Sequence, residues 1–280
     1  MIALATYRDE PGLAIVDSLL IEPFRKAQIE WAAHPWDEPR VPWSTFDLVI
    51  VRTTWDYYRR PAEFRAWIDA RDADGTRLWN PPEVLRWNMH KAYLRDIAAM
   101  GIDVVQTEWL SDAVSLQELL RERGWERAVV KPAVSAAAFQ TRAVTGTDDD
   151  QAFFEGLVAN GEVMVQPFLQ EIVDEGEWSL VFFNSEFSHA LVKSPATGDF
   201  RVQERHGGAT RPATPPADLI AQTEKIVEAT PLATLYARVD GVRSKTGFKL
   251  IELEVLEPAL YFEEGPGSAE RFIDAIAKRL

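Results

Sequence analysis

A chain of 280 residues, 46% hydrophobic and 26% charged, has enough material for one large packed domain or two to three small ones. Its net charge of −14 argues against nucleic acid as a partner, because a surface that tracks phosphates needs clustered Lys and Arg. With no cysteine, thiol catalysis, disulfides and cysteine-based zinc sites are excluded, and no apolar run is long enough to span a membrane.

The N-terminus has neither a basic start nor a long apolar leader, so a cytoplasmic protein is expected, with self-association left open. Ile2 to Tyr7 is a short apolar run that ends in the polar loop Arg8-Asp9-Glu10-Pro11-Gly12. Leu13 to Ile29 carries apolar residues at helical spacing, Asp47 to Val51 reads as a buried strand, and a helix follows Pro61 as far as Arg71. This alternation predicts an α/β start built on a small parallel sheet, whose ligands sit at the carboxyl ends of strands. Tyr7, Arg8, Arg52 and Asp56 fall at that edge and are candidate substrate contacts. Asn80-Pro81-Pro82 marks a boundary, since Pro-Pro continues neither a strand nor a helix interior.

A helix is expected from Asn88 to Met100, stopped by Gly101, then a strand at Val104-Val105 and a helix at Leu116 to Arg123. The strand Ala128-Val129-Val130 runs into Lys131-Pro132. Beyond Asp148 the pattern becomes α+β, mostly antiparallel strands with helices on one side. Val163 to Leu169 reads as a strand stopped by Pro167, and Trp178 to Phe183 with Phe187 to Lys193 as a hairpin around Asn184-Ser185. The polar stretch Ala196 to Arg211 lacks periodicity and reads as a mobile lid. A helix at Ala217 to Ala229, strands at Leu235 to Val242 and Phe248 to Leu256, and a helix at Ala269 to Leu280 complete the chain.

Two of these strands concentrate the chemistry. Alternate residues of a strand share a face, so Arg238 and Asp240 point one way, as do Glu252 and Glu254. If Ser244 to Phe248 closes a hairpin, Asp240 stands opposite Glu252 and Arg238 opposite Glu254. Converging carboxylates need a cation between them, and hard oxygen donors suit Mg²⁺. A solvated charged strand face is the plain alternative. Lys131 emerges at a strand end before a rigid proline, and Lys91 sits in the first turn of the Asn88 helix, where the helix dipole does not favour it.

Taken in order, these features resemble the ATP-grasp superfamily. They are Asn88 with Lys91, Val130-Lys131-Pro132, Val165 to Leu169, Gly176 to Leu180, Asp199-Phe200-Arg201 with His206-Gly207-Gly208, Arg238-Val239-Asp240 and Glu252-Leu253-Glu254. The branch with glutathione synthetase and the ribosomal-protein glutamate ligase is most similar. The resemblance implies an α/β substrate domain at 1–87, a central ATP-grasp part at 88–160 and a C-terminal part with the metal site at 161–280. It implies ATP and Mg²⁺ as cofactors. Lys91 and Lys131 would then contact phosphates, and Gln166, Pro167, Phe168 and Leu169 would form the adenine-reading hinge. Glu177, or Asp174 in its stead, would accept from the ribose. Arg201 and Arg238 would hold the transferred phosphate beside the Gly207-Gly208 turn, a substrate-side element, and Asp240, Glu252 and Glu254 would hold Mg²⁺.

Two departures stand out. Ala133 to Phe139 occupies the place of a glycine-rich phosphate loop, which lowers backbone freedom. Glu254 stands where asparagine is usual. More narrowly, Arg52 to Tyr57, Asn80-Pro81, Val84 to Asn88 with Leu94-Arg95, and Glu252 through Glu257-Pro258-Ala259-Leu260 resemble the O-ureido-serine cyclo-ligase family, which closes the cycloserine ring. That implies an amino-acid carboxylate activated as an acyl phosphate and attacked by a nitrogen. A glutathione-synthetase-type amino-acid or peptide ligase and a non-catalytic nucleotide-binding protein are the rivals. A metal-dependent hydrolase is a third, short of a histidine set, since His34, His90, His189 and His206 are scattered.

Overall fold

The computed structural model describes residues 1–244 and 247–280, in three sheets flanked by helices. The first is parallel, in the order β2-β1-β3-β4, from β1 (Ile2–Thr6), β2 (Trp31–Pro35), β3 (Leu48–Val51) and β4 (Leu78–Trp79). Its central strands are apolar on both faces because both are covered. Ile2, Leu4, Leu48 and Ile50 pack with Phe24 of α1 (Ile21–Lys26) and with Phe272 and Ile276, while Ala3, Val49 and Val51 pack with Phe64 and Trp67 of α2 (Pro61–Ala73). Burying a side chain such as Phe272 contributes roughly 1.5–3 kcal/mol.

Local sequence rules fail where a tertiary bond or a proline intervenes. Leu13 to Ile29 is not one helix: a 3₁₀ turn at Ile15–Leu20 gives way to the short α1, because Pro23 has no N–H to donate and is tolerated only in a first turn. Asn80-Pro81-Pro82, the expected boundary, is tied to the third sheet. Asn80 Nδ2 donates to the carbonyls of Tyr236 and Val255 at 2.9 and 2.7 Å, and its Oδ1 accepts from the Leu235 amide at 2.6 Å. Pro82 then opens α3 (Pro82–Asn88), which stops where the expected helix was to begin, and α4 (Tyr93–Ala99) starts after a break. Lys91 lies in that break and not in a helical first turn. Asn88 bridges the Leu253 carbonyl and the Val255 amide, and the Lys91 amide donates to Ala133 O at 2.9 Å, so these bonds replace the helical ladder.

The middle sheet is antiparallel, in the order β5-β8-β6-β7, from β5 (Glu108–Leu110), β6 (Ala128–Pro132), β7 (Arg142–Val144) and β8 (Val163–Pro167). Val104 forms only an isolated bridge with Leu250, and β8 joins this sheet and not the C-terminal one. α5 (Leu116–Arg123) is capped by Ser115 and ended by the left-handed Gly124, and α6 (Asp148–Val158) opens with a Thr147/Asp150 capping box. α7 (Gln170–Asp174) leads out of β8.

The third sheet is antiparallel, in the order β11-β10-β9-β12-β13, from β9 (Glu177–Phe183), β10 (Glu186–Ser194), β11 (Ala209–Ala213), β12 (Tyr236–Ser244) and β13 (Gly247–Glu254). Arg238 faces Glu254 and Asp240 faces Glu252 across β12–β13, the pairing expected of a hairpin, although Lys245 and Thr246 of its turn lie outside the described residues. A bulge follows Asp240, and only glycine fits at 241, where a Cβ would lie 2.3 Å from Lys249 O. Leu180, Phe182, Val239 and Leu253 on one face pack against Leu219, Ile226 and Val227 of α8 (Ala217–Glu228). α9 (Ser268–Ala277) reaches back to the first sheet. The expected lid is partly strand, since Ala209–Ala213 pairs with β10, and buried Val202 anchors the remainder.

Candidate functional site

The face of the third sheet away from α8 carries Glu177 and Ser179 on β9, Lys193 on β10, Arg238 and Asp240 on β12, and Glu252 and Glu254 on β13. It forms the floor of a cavity of about 490 Å³. Lys131 and Gln166 to Leu169, Phe168 excepted, line it from the middle sheet, with the Ser135–Ala138 turn beside them. Tyr7, Trp55, Asp56, Tyr57 and Tyr58 line it from the first sheet, Arg201 and Arg205 from the loop before β11.

Nearly every charge on the floor is paired. Arg238 forks onto both Asp240 oxygens at 2.8 to 3.0 Å, reaches Glu254, and donates to Ala259 O at 2.9 Å. Lys193 bridges Glu177 and Asp240 at 2.5 and 3.3 Å, and Ser179 also donates to Asp240. Burial would raise the Asp240 carboxyl, but Arg238 and Lys193 outweigh it and hold it down at about 2. Burial would lower the Lys193 ammonium, and Asp240 with Glu177 raises it instead. Lys91 donates to Ser135 O at 3.0 Å and pairs with Glu252, whose carboxyl stays below its ordinary value because Lys91 and Lys131 overcome burial.

Two groups are not neutralised in this way. Lys131 is 8% exposed with no ion pair among the described residues, and burial, with Lys91 nearby, pushes its ammonium down to about 8. Glu254 is pushed up to about 7 by burial, its bond to Arg238 being offset by Glu252 and Asp240. A buried ammonium without a partner is a receptor for anionic oxygen, and acids held above their usual range are short of positive charge.

The structure also redistributes some sequence candidates. Among the described residues no three His, Asp or Glu side chains form a metal cage, because Arg238, Lys193 and Ser179 already occupy Asp240. Glu252 and Glu254 remain at the cavity with hard oxygens and one cation partner each, and Glu254 is still held up at about 7, which fits a divalent cation such as Mg²⁺. Arg52 is not a substrate contact: it is 1% exposed, forked onto Asp17 at 2.9 and 3.0 Å and onto Pro258 O at 3.3 Å. Arg8 lies exposed on Asp37. Asp174 is outside the cavity wall, accepting from Gln170, and Phe168 stacks under Arg127 and beside Phe200. Arg201 lines the cavity while docked on Asp199 at 2.7 Å.

Gly207 and Gly208 shape the loop instead of lining the cavity. Gly207 is left-handed, and a Cβ on Gly208 would meet Val202 O at 2.1 Å. The alanine-rich phosphate loop keeps a glycine-like path, since Ala137, Ala138 and Gln140 have φ of 49°, 55° and 49°. Sequence reasoning missed Lys193, Tyr57 and Glu257. Lys193 faces Glu177 only because a bulge between Phe187 and His189 shifts the hairpin register by one residue, which the sequence pattern does not reveal.

Three-sheet architecture with lysines and acids facing one cavity is that of the ATP-grasp fold, and comparison with known proteins agrees. A family profile described as D-cycloserine synthetase DcsG, N-terminal domain, matches residues 2–80. The cycloserine biosynthesis protein DcsG of Streptomyces lavendulae is 32% identical, over 93% of this chain and 92% of its own length. The crystal structure of D-cycloserine synthetase DcsG superposes with a TM-score of 0.88 at 28% identity, covering 99% of each chain. ATP-grasp ligase PsnB, solved with a phosphomimetic variant of its minimal precursor, Mg and ADP, shares the fold with a TM-score of 0.70 at 15% identity, over 99% of this chain and 98% of PsnB. The chain belongs to the D-cycloserine synthetase family. No helix among the described residues is long and apolar enough to cross a membrane.

Proposed function

We propose that this protein is an ATP- and Mg²⁺-dependent ligase that activates an amino-acid carboxylate as an acyl phosphate and closes a cycloserine-type ring by attack of a nitrogen in the same molecule. The observation that carries this reading is Lys131, a buried ammonium without an ion-pair partner among the described residues, lining one cavity with Glu252 and Glu254. Lys131 and Lys91 bind phosphate oxygens as point charges, and the segment Gln166 to Leu169 provides backbone for the base, with Glu177 toward the ribose. Magnesium, when bound, supplies charge neutralisation along the phosphates. Glu252 and Glu254 are the residues to hold it, with Asp240 behind them fixing Arg238.

The substrate carboxylate attacks the γ-phosphorus and ADP leaves. The nitrogen then attacks the acyl carbon and gives up its proton, and phosphate departs with the electrons of the broken C–O bond. For O-ureidoserine, water cleaves the ureido C–N bond to free the ring nitrogen, with loss of carbon dioxide and ammonia. Arg238 and Arg201 stabilise the phosphoryl oxygens through both steps, since phosphoryl transfer needs positioning and charge neutralisation more than covalent help. Asp56, Tyr7 and the neighbouring aromatic rings shape the substrate end. ATP use supports a cytoplasmic setting, with a small molecule as substrate. The test is ADP release by purified protein with Mg²⁺, ATP and O-ureidoserine, with mass detection of cycloserine. ADP release that requires a separate amine would point to intermolecular ligation, and no substrate-stimulated release would reject the ligase reading.

A further inference from the structure

Glu257 lies three residues beyond β13, and its side chain lines the cavity half-buried. The floor acids Glu177, Asp240, Glu252 and Glu254 each have a cation partner. The Glu257 carboxylate has neither an ion pair nor a hydrogen bond among the described residues, while its backbone is held rigidly. Its carbonyl accepts from Trp55 Nε1 at 3.2 Å, Pro258 O from both terminal nitrogens of Arg52 at 3.3 Å, and Ala259 O from Arg238 at 2.9 Å. Three consecutive carbonyls are thus tied by three side chains, and the carboxylate between them is left open. Such a group is preorganised for a ligand.

We infer that Glu257 receives the α-ammonium of the amino-acid substrate, an assignment that rests on the ligase reading above, because its unpaired carboxylate is fixed in the cavity wall at the aromatic end marked by Trp55 and Tyr57. The surroundings separate this cation from a metal ion. Burial and the nearby Glu254 hold the Glu257 carboxyl well above its ordinary range, so it is short of positive charge. Burial, and then the charge of Glu257, raise the Tyr57 phenol, and both side chains line the cavity. Tyr7 and Trp55, with ring centroids 6.3 Å apart, line the same end. A carboxylate with aromatic neighbours suits a primary ammonium, which accepts ring faces as well as oxygen. Mg²⁺ demands a near-octahedral set of oxygens. Held there, the ammonium fixes one end of the substrate while its carboxylate points to the phosphate side marked by Lys91 and Lys131.

Calorimetric titration of the intact protein, loaded with Mg²⁺ and a non-hydrolysable ATP analogue, tests the assignment with two probes: O-ureidoserine and its des-amino counterpart, 3-(ureidooxy)propanoate. Wild type should prefer the amine-bearing probe by about ten- to a hundredfold, the worth of a charge-assisted hydrogen bond. Glu257→Gln should lose that preference and keep its affinity for the nucleotide analogue within about twofold, as expected of a contact to substrate alone. Glu257→Asp should keep part of it. A wild type that does not discriminate overturns the inference, whether or not the variants fold. So does a Glu257→Gln protein that keeps the preference, or one that instead needs far more Mg²⁺ to bind the nucleotide. If O-ureidoserine binds with the expected preference but yields no ADP in turnover assays, the ring-closing reading fails and the ammonium site stands.

Discussion

In the N-terminal sheet, β1 and β3 bury apolar side chains on both faces, and the charges at its ligand edge are absorbed into structure: Arg52 on Asp17, Asp56 on Arg60 and on Trp36 Nε1 at 2.8 Å. In the C-terminal sheet, one face is apolar against α8 and the other is a lattice of Glu177, Lys193, Asp240, Arg238 and Glu254. Covering both faces of a parallel sheet leaves only strand ends for chemistry, whereas an antiparallel sheet covered on one side offers a whole face. The phosphate-handling role proposed above therefore falls to the second, and the first supplies an aromatic wall. What decides a charged residue's role is whether its partner is already inside the protein.

The sharpest break of that contrast is Glu252→Gln. The amide still accepts from Lys91, so melting temperature should hold within a few degrees. ADP formation should fall about a thousandfold, roughly 4 kcal/mol of transition-state stabilisation. Turnover within about tenfold of wild type would remove Glu252 from the metal site. Next in size is Arg52→Met, which strands Asp17 in the core and should cost roughly 3–5 kcal/mol of stability. Adding Asp17→Leu should recover most of that loss. Urea denaturation distinguishes the outcomes: a stable single variant that has lost activity would return Arg52 to substrate binding.

How far the sequence reveals this division follows from the range of the forces involved. Alternation in β12 and β13 placed Arg238 opposite Glu254 and Asp240 opposite Glu252. The structure keeps that pairing because the bulge after Asp240 offsets a closure one residue tighter than expected, with Ser244 paired to Gly247. The buried pairing of Arg52 with Asp17, 35 residues away, was invisible, as was the bridge from Asn88 to β13 that breaks the expected helix around Lys91. Those are long-range bonds, and no local pattern encodes them. Lys131 was legible as a strand-end lysine, but its lack of an ion pair among the described residues shows only in three dimensions.

That unpaired state gives a pH prediction of intermediate size. The Lys131 ammonium falls from its ordinary 10.5 to about 8 on folding, so the charged form is disfavoured in the native state. The unfolded chain then binds more protons between about pH 8 and 10.5, and the penalty, fully present below pH 8, is relieved as pH rises through that window. Its size is on the order of 3 kcal/mol. Lys131→Met should therefore be more stable than wild type at pH 7 without nucleotide, converge with it near pH 10, and bind an ATP analogue at least about tenfold more weakly. Equal nucleotide affinity in the two proteins would make Lys131 a buried structural lysine.

The smallest effect concerns the loop beside Lys131, where Ala137 and Ala138 hold φ of 49° and 55°. A left-handed conformation costs a non-glycine residue about 1–2 kcal/mol, so Ala137→Gly and Ala138→Gly each relieve strain. Glycine also adds freedom to the unfolded chain, which costs about 0.4–1 kcal/mol in return. The strain relieved exceeds that cost by roughly 0.5–1 kcal/mol per site, so the double variant should melt a few degrees above wild type. Binding is a different matter. The alanines confine the loop to few conformations before nucleotide arrives, and glycines leave that ordering to be done on binding. Affinity for an ATP analogue should weaken by about two- to fivefold, with Tyr58 and Phe139, whose ring centroids are 5.0 Å apart, still tethering the loop to the aromatic wall. Tighter binding by the double variant would mean that the conformation held by the alanines is one the nucleotide must undo, and that the loop rearranges before Lys131 and Lys91 engage phosphate.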